Sequence, residues 1–183
     1  VDEDGTPLNI YSHCRKGTLI FYYREIDQEI PIPFQETILY QNDHILLADK
    51  PHFLPVTPSG RFLRETLLVR LKKRLALEYL VPLHRIDKET AGIVMFSHNP
   101  ETRRNYASLF TKHEVNKIYE ALAPRLPDRI FPVIRRSCLV RGNPFFRIKE
   151  VDGVPNSETC IDVVENRGAV ALYRLIPVTG RKH

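Results

Sequence analysis

A polar stretch at residues 84–92 holds side chains whose types and spacing could do chemistry, and it lies between two apolar runs, residues 79–83 and 93–96. Its reactive side chains are those of His84, Arg85, Asp87 and Thr90. Two short β-like runs joined by such a loop place ionisable groups at the edge of a core, where their protonation states can be tuned. The pattern therefore indicates a reactive loop, although Asp87 could instead only cap the turn that follows it.

Two other chemistries are weakly supported by this loop. His-Arg-x-Asp also occurs in the catalytic loop of protein kinases, where an Asn five positions after the Asp holds metal. Here that position is Gly92, and the sequence has neither a glycine-rich phosphate loop upstream nor Asp-Phe-Gly downstream. His84 and Asp87 are three residues apart, without a second pair of ligands at plausible spacing. We therefore reject kinase chemistry and expect no metal.

The composition is that of an ordinary soluble globule, with 183 residues, 43% apolar and 27% charged, long enough to bury a core. A net charge of +5 and a pI near 9.2 favour a polyanionic partner without requiring one. Cys14, Cys138 and Cys160 are widely separated, which predicts neither a zinc site nor disulfides and favours the reducing cytoplasm. No apolar run reaches the roughly 18 residues of a membrane span. Because the chain begins with Val1, we expect its natural N-terminus to be absent.

The elements before the polar stretch must position it. Residues 45–48 are a short apolar run typical of a strand, which continues into Lys50. Three prolines then predict a loop over residues 50–60. Leucines at helical spacing predict an amphipathic helix over residues 67–75. Basic side chains cover the rest of its surface, namely Arg64, Arg70, Lys72, Lys73 and Arg74. That face is better explained as a solvated surface of a core helix than as a contact to nucleic acid.

After the polar stretch, residues 99–101 predict a helix start with Asn99 as cap, and the buried side of this helix is assigned to Ala107, Leu109 and Phe110. The rest is rich in predicted strands, at residues 117–123, 130–140, 145–151, 158–164 and 169–178, the last two forming a hairpin across residues 165–168. A further strand is predicted at residues 18–23, and an extended linker is predicted at residues 29–34. Two early helices and several antiparallel strands predict an α+β fold.

Four motifs in order carry a family resemblance. The stretch from His84 to Gly92 resembles the HRLDxxTSG signature of the RluA-type pseudouridine synthases. Asp49-Lys50-Pro51 is similar to the lysine-proline motif of that family. Residues 117–121 are similar to its Lys-x-Tyr-x-Ala strand, and residues 177–183 are similar to the start of its TGRxHQIR motif. Together the motifs cover residues 38–183. The chain is therefore identified as a member of this family.

The resemblance implies the catalytic fold of these enzymes, a central, largely antiparallel mixed sheet flanked by helices and loops. It also implies cofactor-free isomerisation of specific uridines to pseudouridine in ribosomal or transfer RNA. The family's catalytic carboxylate maps to Asp87, which would act on a uridine flipped out of the RNA. Whether attack occurs at the base, at the sugar, or after loss of a ribose proton stays open.

The remaining site residues follow from the same resemblance. An ionised Asp87 sheltered from water needs a fixed cation beside it, and the family's TGRxH arginine is Arg181. Tyr119 matches the tyrosine that stacks on the target uracil, and its hydroxyl can help to move a proton. Arg85 resembles the family's inserting arginine, which fills the gap that the flipped base leaves.

Several of these residues have a structural alternative. Tyr119 on an apolar strand could be core, and Arg181 could be solvated. His84 is better explained as a structural hydrogen-bonding residue than as an acid or base. Lys50 could either order its loop or contact RNA. With Thr90, which we assign to the shape of the loop, these residues and Arg85 form the expected RNA-binding set.

The sequence also departs from the family pattern. Phe53 stands where the family usually has Gly in KPxG, so this loop could be shaped differently, and Ala91 replaces the common Ser. Residues 1–36 are expected to be the remnant of an N-terminal RNA-binding module plus a linker. Residues 37–183 are expected to be the catalytic domain. Because the chain ends directly after an apolar strand, we expect the C-terminal part of that domain to be missing.

Two rival functions stay open. A catalytically silent RNA-binding or ribosome-assembly factor could keep the fold, although it would not need Asp87, Tyr119 and Arg181 together. A hydrolase of other substrates could use Asp87 as nucleophile, and its binding would be insensitive to salt. For the enzyme we expect a cytoplasmic monomer that binds RNA and no membrane.

Overall fold

The computed structural model describes residues 1–22, 26, 28–144 and 147–180. The chain divides into two compact units, Val1–Glu101 and Thr102–His183, so the predicted boundary between residues 36 and 37 falls inside the first unit. The elements of the first unit are β1 (Thr37–Gln41), β2 (Ile45–Lys50), α1 (Leu67–Leu75), β3 (Val81–Pro82) and β4 (Gly92–Ser97). Those of the second are α2 (Arg103–Thr111), β5 (Tyr119–Pro124), β6 (Val133–Arg141), β7 (Ile148–Val151), β8 (Ser157–Arg167) and β9 (Val170–Pro177).

The first unit is built on a four-stranded antiparallel sheet in the order β1-β2-β4-β3. Successive residues of a strand point to opposite faces, so Leu46, Ala48 and Lys50 share one face of β2, and all three are buried. Leu67 and Leu71 of α1 belong to the same core cluster as Leu46 and Ala48. Lys50 therefore lies on the core side of its strand because the alternation of β2 puts it there.

Helix α1 matches the predicted residues 67–75. Thr66 caps its N-terminus, because its hydroxyl accepts a hydrogen bond from the Val69 N–H, and Ala76 ends it in the left-handed conformation at φ +53°. Two further bonds, from Leu67 N–H to the Pro55 carbonyl and from Leu68 N–H to the Val56 carbonyl, tie its first turn to the predicted 50–60 loop. The loop and the helix are thus one packed piece.

The segment predicted as a linker is fastened to α1. The Arg70 guanidinium donates to the carbonyls of Ile32 and Phe34, both at 2.7 Å, and Glu65 accepts from the Ile32 N–H at 2.8 Å. Glu29 accepts three backbone N–H groups at the start of the helix region, from residues 63–65. Although burial alone would raise it, these hydrogen bonds lower the pKa of Glu29. The segment is extended as predicted, but it is held in place.

The second unit carries a five-stranded antiparallel sheet in the order β5-β9-β8-β6-β7. The predicted hairpin is confirmed, but β8 runs three residues further than expected, so Arg167 pairs with Val170 and only two residues form the turn. Gly168 begins that turn at φ +67°, which glycine adopts without strain. A bulge between Val163 and Glu165 absorbs one residue and keeps the pairing continuous beyond it.

Two predicted elements are wrong in detail. Helix α2 begins at Arg103, after Thr102, whereas Asn99 accepts a hydrogen bond from the Glu101 N–H in a local turn. Its expected buried side, Ala107, Leu109 and Phe110, is only half-buried. The predicted strand at residues 18–23 is not formed in its described part, residues 18–22. The α+β class itself is confirmed, with two helices and antiparallel sheets in the described ranges.

Among the described residues, no helix is both long enough and apolar enough to cross a membrane.

Candidate functional site

The polar stretch is a loop between β3 and β4, and its start is bound to Met95 of β4 by Leu83, just before the stretch, and by His84, its first residue. Leu83 N–H donates to the Met95 carbonyl at 2.9 Å, and Met95 N–H donates to His84 Nε2 at 3.1 Å. Nε2 is the acceptor of this hydrogen bond, so it carries no proton in this arrangement. His84 thus has the structural hydrogen bond that the sequence analysis favoured.

Asp87 begins a tight turn in this loop. The Thr90 N–H donates to the Asp87 carbonyl at 3.1 Å, and residues 88–89 form the tip. Gly92 is the first residue of β4 and has φ +131°, a backbone conformation that residues other than glycine rarely adopt. Asp87 and Thr90 therefore sit at the two ends of one turn, which is fixed by β4 on its C-terminal side.

Lys50 holds this turn from the neighbouring strand. Its Nζ donates to the Lys88 carbonyl at 3.1 Å and to the Pro51 carbonyl at 2.9 Å, and the residue is 0% exposed. Burial lowers the pKa of Lys50 from 10.5 to about 8, against the opposing attraction of the Glu89 and Asp87 carboxylates. Of the two alternatives for Lys50, a buried ammonium bound to two carbonyls fits the ordering of the loop.

His52 is a second contact to the turn, and the sequence analysis missed it. Its Nδ1 donates to the Glu89 carbonyl at 2.6 Å, so two consecutive carbonyls of the turn are bound, one by the last residue of β2 and one by the segment after it. The Lys88 ammonium also lies 5.6 Å from the centre of the Phe62 ring. The available signal was the position of His52 directly after Lys50-Pro51, but a single exposed His gives no pattern by itself.

The acidic side chain itself points outward. Asp87 is exposed, as are Arg85 and Glu89, because the turn projects beyond the ends of the strands. The structure of the chain thus does not shelter Asp87 from water as the sequence analysis expected. Its own backbone N–H, together with the Lys88 ammonium, lowers the pKa of Glu89. The tip of the turn therefore carries both signs of charge around Asp87.

The other two predicted catalytic residues lie in the second unit. Tyr119 is the first residue of β5 and pairs with Leu175 of β9, half-buried. Arg181 lies outside the described residues. The first unit thus brings together Lys50, His84, Arg85, Asp87 and Thr90 from the predicted set.

The arrangement offers a carboxylate on a rigid turn, reachable by a large substrate, with Arg85 two residues away. In the described part of the chain, no three His, Cys, Asp or Glu side chains meet as metal ligands would. A carboxylate such as that of Asp87 can act as an acid, a base or a nucleophile.

Comparison with known proteins points to one kind of enzyme. A family model described as RNA pseudouridylate synthase matches residues 44–183. The chain is 30% identical over 157 residues to the ribosomal large subunit pseudouridine synthase C of Vibrio vulnificus, covering 81% of this chain and 47% of that protein. It is 26% identical over 152 residues to the mitochondrial tRNA pseudouridine(32) synthase of Saccharomyces cerevisiae, covering 80% of this chain and 32% of that protein.

The likeness extends to the fold. The solved structure of human RNA pseudouridylate synthase domain containing 4 superposes with a TM-score of 0.62 at 26% identity, covering 80% of this chain and 60% of that one. The chain spans about half the length, or less, of the curated relatives it matches.

Proposed function

The chain belongs to the RNA pseudouridylate synthase family, and on that premise we propose that it isomerises specific uridines to pseudouridine in ribosomal or transfer RNA. The bond between N1 of uracil and C1′ of the ribose breaks, the uracil turns, and its C5 is joined to C1′. The proton at C5 is released to solvent, and N1 takes up one proton. Atoms balance without a cofactor, since the product is an isomer of the substrate. Asp87 is the catalytic carboxylate.

The observation that carries the proposal is the turn bearing Asp87 inside the matched region 44–183. Its carbonyls at Lys88 and Glu89 are bound by Lys50 and His52, so the backbone beside the carboxylate is fixed before substrate arrives. A fixed catalytic group avoids the entropy cost of ordering it in the transition state. The exposure of Asp87 suits a macromolecular substrate, which itself excludes water when it docks.

The other proposed residues act around the flipped uridine. Arg85 is exposed and close to Asp87 in the chain, which suits insertion into the gap left by the base. Tyr119 stacks on the uracil, and Arg181 supplies the cation that keeps Asp87 ionised once RNA covers it. The names of the rRNA and tRNA enzymes among the relatives support these two classes of substrate.

The test uses the full-length protein and rRNA or tRNA transcripts labelled with tritium at the uracil C5 position. We expect wild-type protein to release tritium and Asp87→Asn to release none. Asp43→Asn is the matched control, because Asp43 is also an exposed aspartate of the first unit but lies in the β1–β2 turn. It should release tritium as the wild type does.

No release by the wild type from either class of RNA, or full release by Asp87→Asn, would overturn the proposal. RNA binding without any release would instead favour the catalytically silent RNA-binding factor.

A further inference from the structure

A small cavity opens beside the catalytic turn. Its volume is about 270 Å³, below the roughly 300–1,000 Å³ of sites for drug-sized ligands, so it suits one flat ring system. Its lining residues are Phe34, Gln35, Asp49, Lys50, Pro51, His52, Phe53 and Ala91. It touches the catalytic loop directly at Ala91 and indirectly through His52, which binds the Glu89 carbonyl.

Two aromatic rings form one wall of this cavity. The ring centroids of Phe34 and Phe53 lie 6.1 Å apart with a tilt of 39°, and the residues are 48% and 52% exposed. The His52 ring lies 6.0 Å from that of Phe53. Half-exposed aromatic faces in contact with each other are typical of surfaces on which nucleic-acid bases stack.

The chain maintains this wall at a conformational cost. Phe53 has φ +68°, in the left-handed region that bulky side chains rarely occupy. Glycine would adopt the same backbone without strain, but it would provide no ring. Phe34 is placed by Arg70, which binds its carbonyl at 2.7 Å. Strain of this kind persists where the surroundings hold it, and it clusters at ligand sites.

The charge of the lining decides which part of a nucleotide fits. The Lys50 ammonium is bound to the Pro51 and Lys88 carbonyls, whereas Asp49, the acidic residue of the lining, is exposed. A carboxylate repels phosphate but can accept hydrogen bonds from the N–H groups of a base. The cavity therefore suits a base and not the sugar-phosphate backbone.

We propose that this cavity binds one unpaired base of the RNA, a neighbour of the target uridine, by stacking on Phe53 and Phe34. This rests on the proposed function, because it takes RNA as the substrate. The occupied cavity would fix the RNA beside the Asp87 turn, and this chain would thereby gain a contact that a glycine at position 53 does not provide.

The test measures binding of fluorescein-labelled single-stranded hexacytidylate to the full-length protein by anisotropy. Phe53→Gly should raise the dissociation constant about 5- to 100-fold, the loss expected for one base–aromatic stack. Because glycine suits φ +68°, this variant should fold, and circular dichroism checks it. Phe34→Leu should weaken binding in the same direction. Tyr40→Leu is the control, because Tyr40 is 49% exposed in the same unit and is not part of the lining.

The contact is located with a hexamer carrying one 5-iodouridine, photo-cross-linked to the wild type and mapped by mass spectrometry. Cross-links at Phe34 or Phe53 are expected. Equal affinities of Phe53→Gly and Tyr40→Leu, or cross-links only elsewhere, would overturn the proposal. Neither measurement requires catalysis, so the two proposals can fail separately. If the protein releases tritium but its RNA affinity does not depend on Phe53, only this proposal is overturned. If RNA affinity depends on Phe53 but no tritium is released, only the proposed activity is overturned.

Discussion

Lys50 could be identified from the sequence as a site residue, but its structural role could not. The strand alternation of β2 places it on the core face, where its ammonium loses water and gains the carbonyls of Pro51 and Lys88. A buried ammonium is costly unless it is paired in this way. Its contribution to the site is therefore indirect, through the shape of the turn that carries Asp87.

The buried ammonium predicts a pH dependence of stability. The pKa of Lys50 is about 8 in the folded chain and about 10.5 in the unfolded chain, so between these values the unfolded chain binds more protons. Stability therefore rises with pH across this window, by up to about 3 kcal/mol. In urea unfolding between pH 7 and 10.5, the unfolding free energy of the wild type should rise relative to that of Lys50→Met by this amount. A difference between the two proteins that stays constant with pH would contradict it.

The backbone conformation of Phe53 predicts that glycine is more stabilising than alanine at this position, the reverse of their usual order. Glycine is normally about 0.5–1 kcal/mol less favourable than alanine, but a residue with a Cβ costs about 1–2 kcal/mol in the left-handed region. At φ +68°, Phe53→Gly should therefore be more stable than Phe53→Ala by about 1 kcal/mol. Chemical denaturation measures this, and both variants lose the ring equally. Greater stability of the alanine variant would show that the φ value is not maintained.

At the scale of elements, α1 is used differently from what its composition suggests. Its basic side chains predicted either a solvated or an RNA-facing surface. Instead Arg70 binds the carbonyls of Ile32 and Phe34 and pairs with Glu65, while Arg74 pairs with Glu36, whose side chain is 2% exposed. Much of the positive charge of the helix thus fastens residues 29–36 to the core, and Lys73 stays exposed.

Removing the guanidinium of Arg70 should release this segment. Arg70→Met loses two hydrogen bonds to carbonyls and the ion pairs of Arg70 with Glu36 and Glu65, so we expect a loss of about 2 to 4 kcal/mol in unfolding free energy. The Ile32 amide should also exchange faster with deuterium. Lys73→Met, on the same helix but exposed, should change stability by less than about 0.5 kcal/mol. Equal effects of the two substitutions would show that the segment is not fastened by Arg70.

At the scale of the whole molecule, the chain is two units with different cores. The first buries nine hydrophobic residues in one cluster, whereas in the described part of the second the buried hydrophobics are Ala171 and Tyr173. The Tyr173 hydroxyl donates to the Pro124 carbonyl at 3.0 Å and accepts from the Leu126 N–H, which closes β9 on β5. Of the proposed catalytic residues, Asp87 lies in the first unit and Tyr119 in the second.

The net charge of +5 predicts salt-dependent binding if RNA is the substrate. With about three phosphate contacts, affinity for a labelled transcript should fall about tenfold or more between 50 and 200 mM salt. Filter binding of the full-length protein measures this. Affinity that does not respond to salt would favour the rival hydrolase of other substrates.

Sequence by itself determined the features that depend on neighbouring residues. The period of the leucines set the bounds of α1, and the apolar runs located β2 and β4, because side-chain direction repeats every 3.6 or 2 residues. The order of four motifs led to the family, which the comparisons confirm. The polar loop indicated Asp87 as a reactive residue, and the family motif singled out Phe53 as a departure from the pattern.

Only the tertiary structure decided where distant groups meet. The Lys50 ammonium reaches a carbonyl 38 residues away, and Arg70 reaches one 36 residues away. No local period encodes such pairs, since they form only when packing of the core brings separate segments to one place. The exposed position of Asp87, the contact of Phe34 with Phe53 and the fastening of residues 29–36 all follow from that packing, and each was therefore beyond what the sequence pattern could predict.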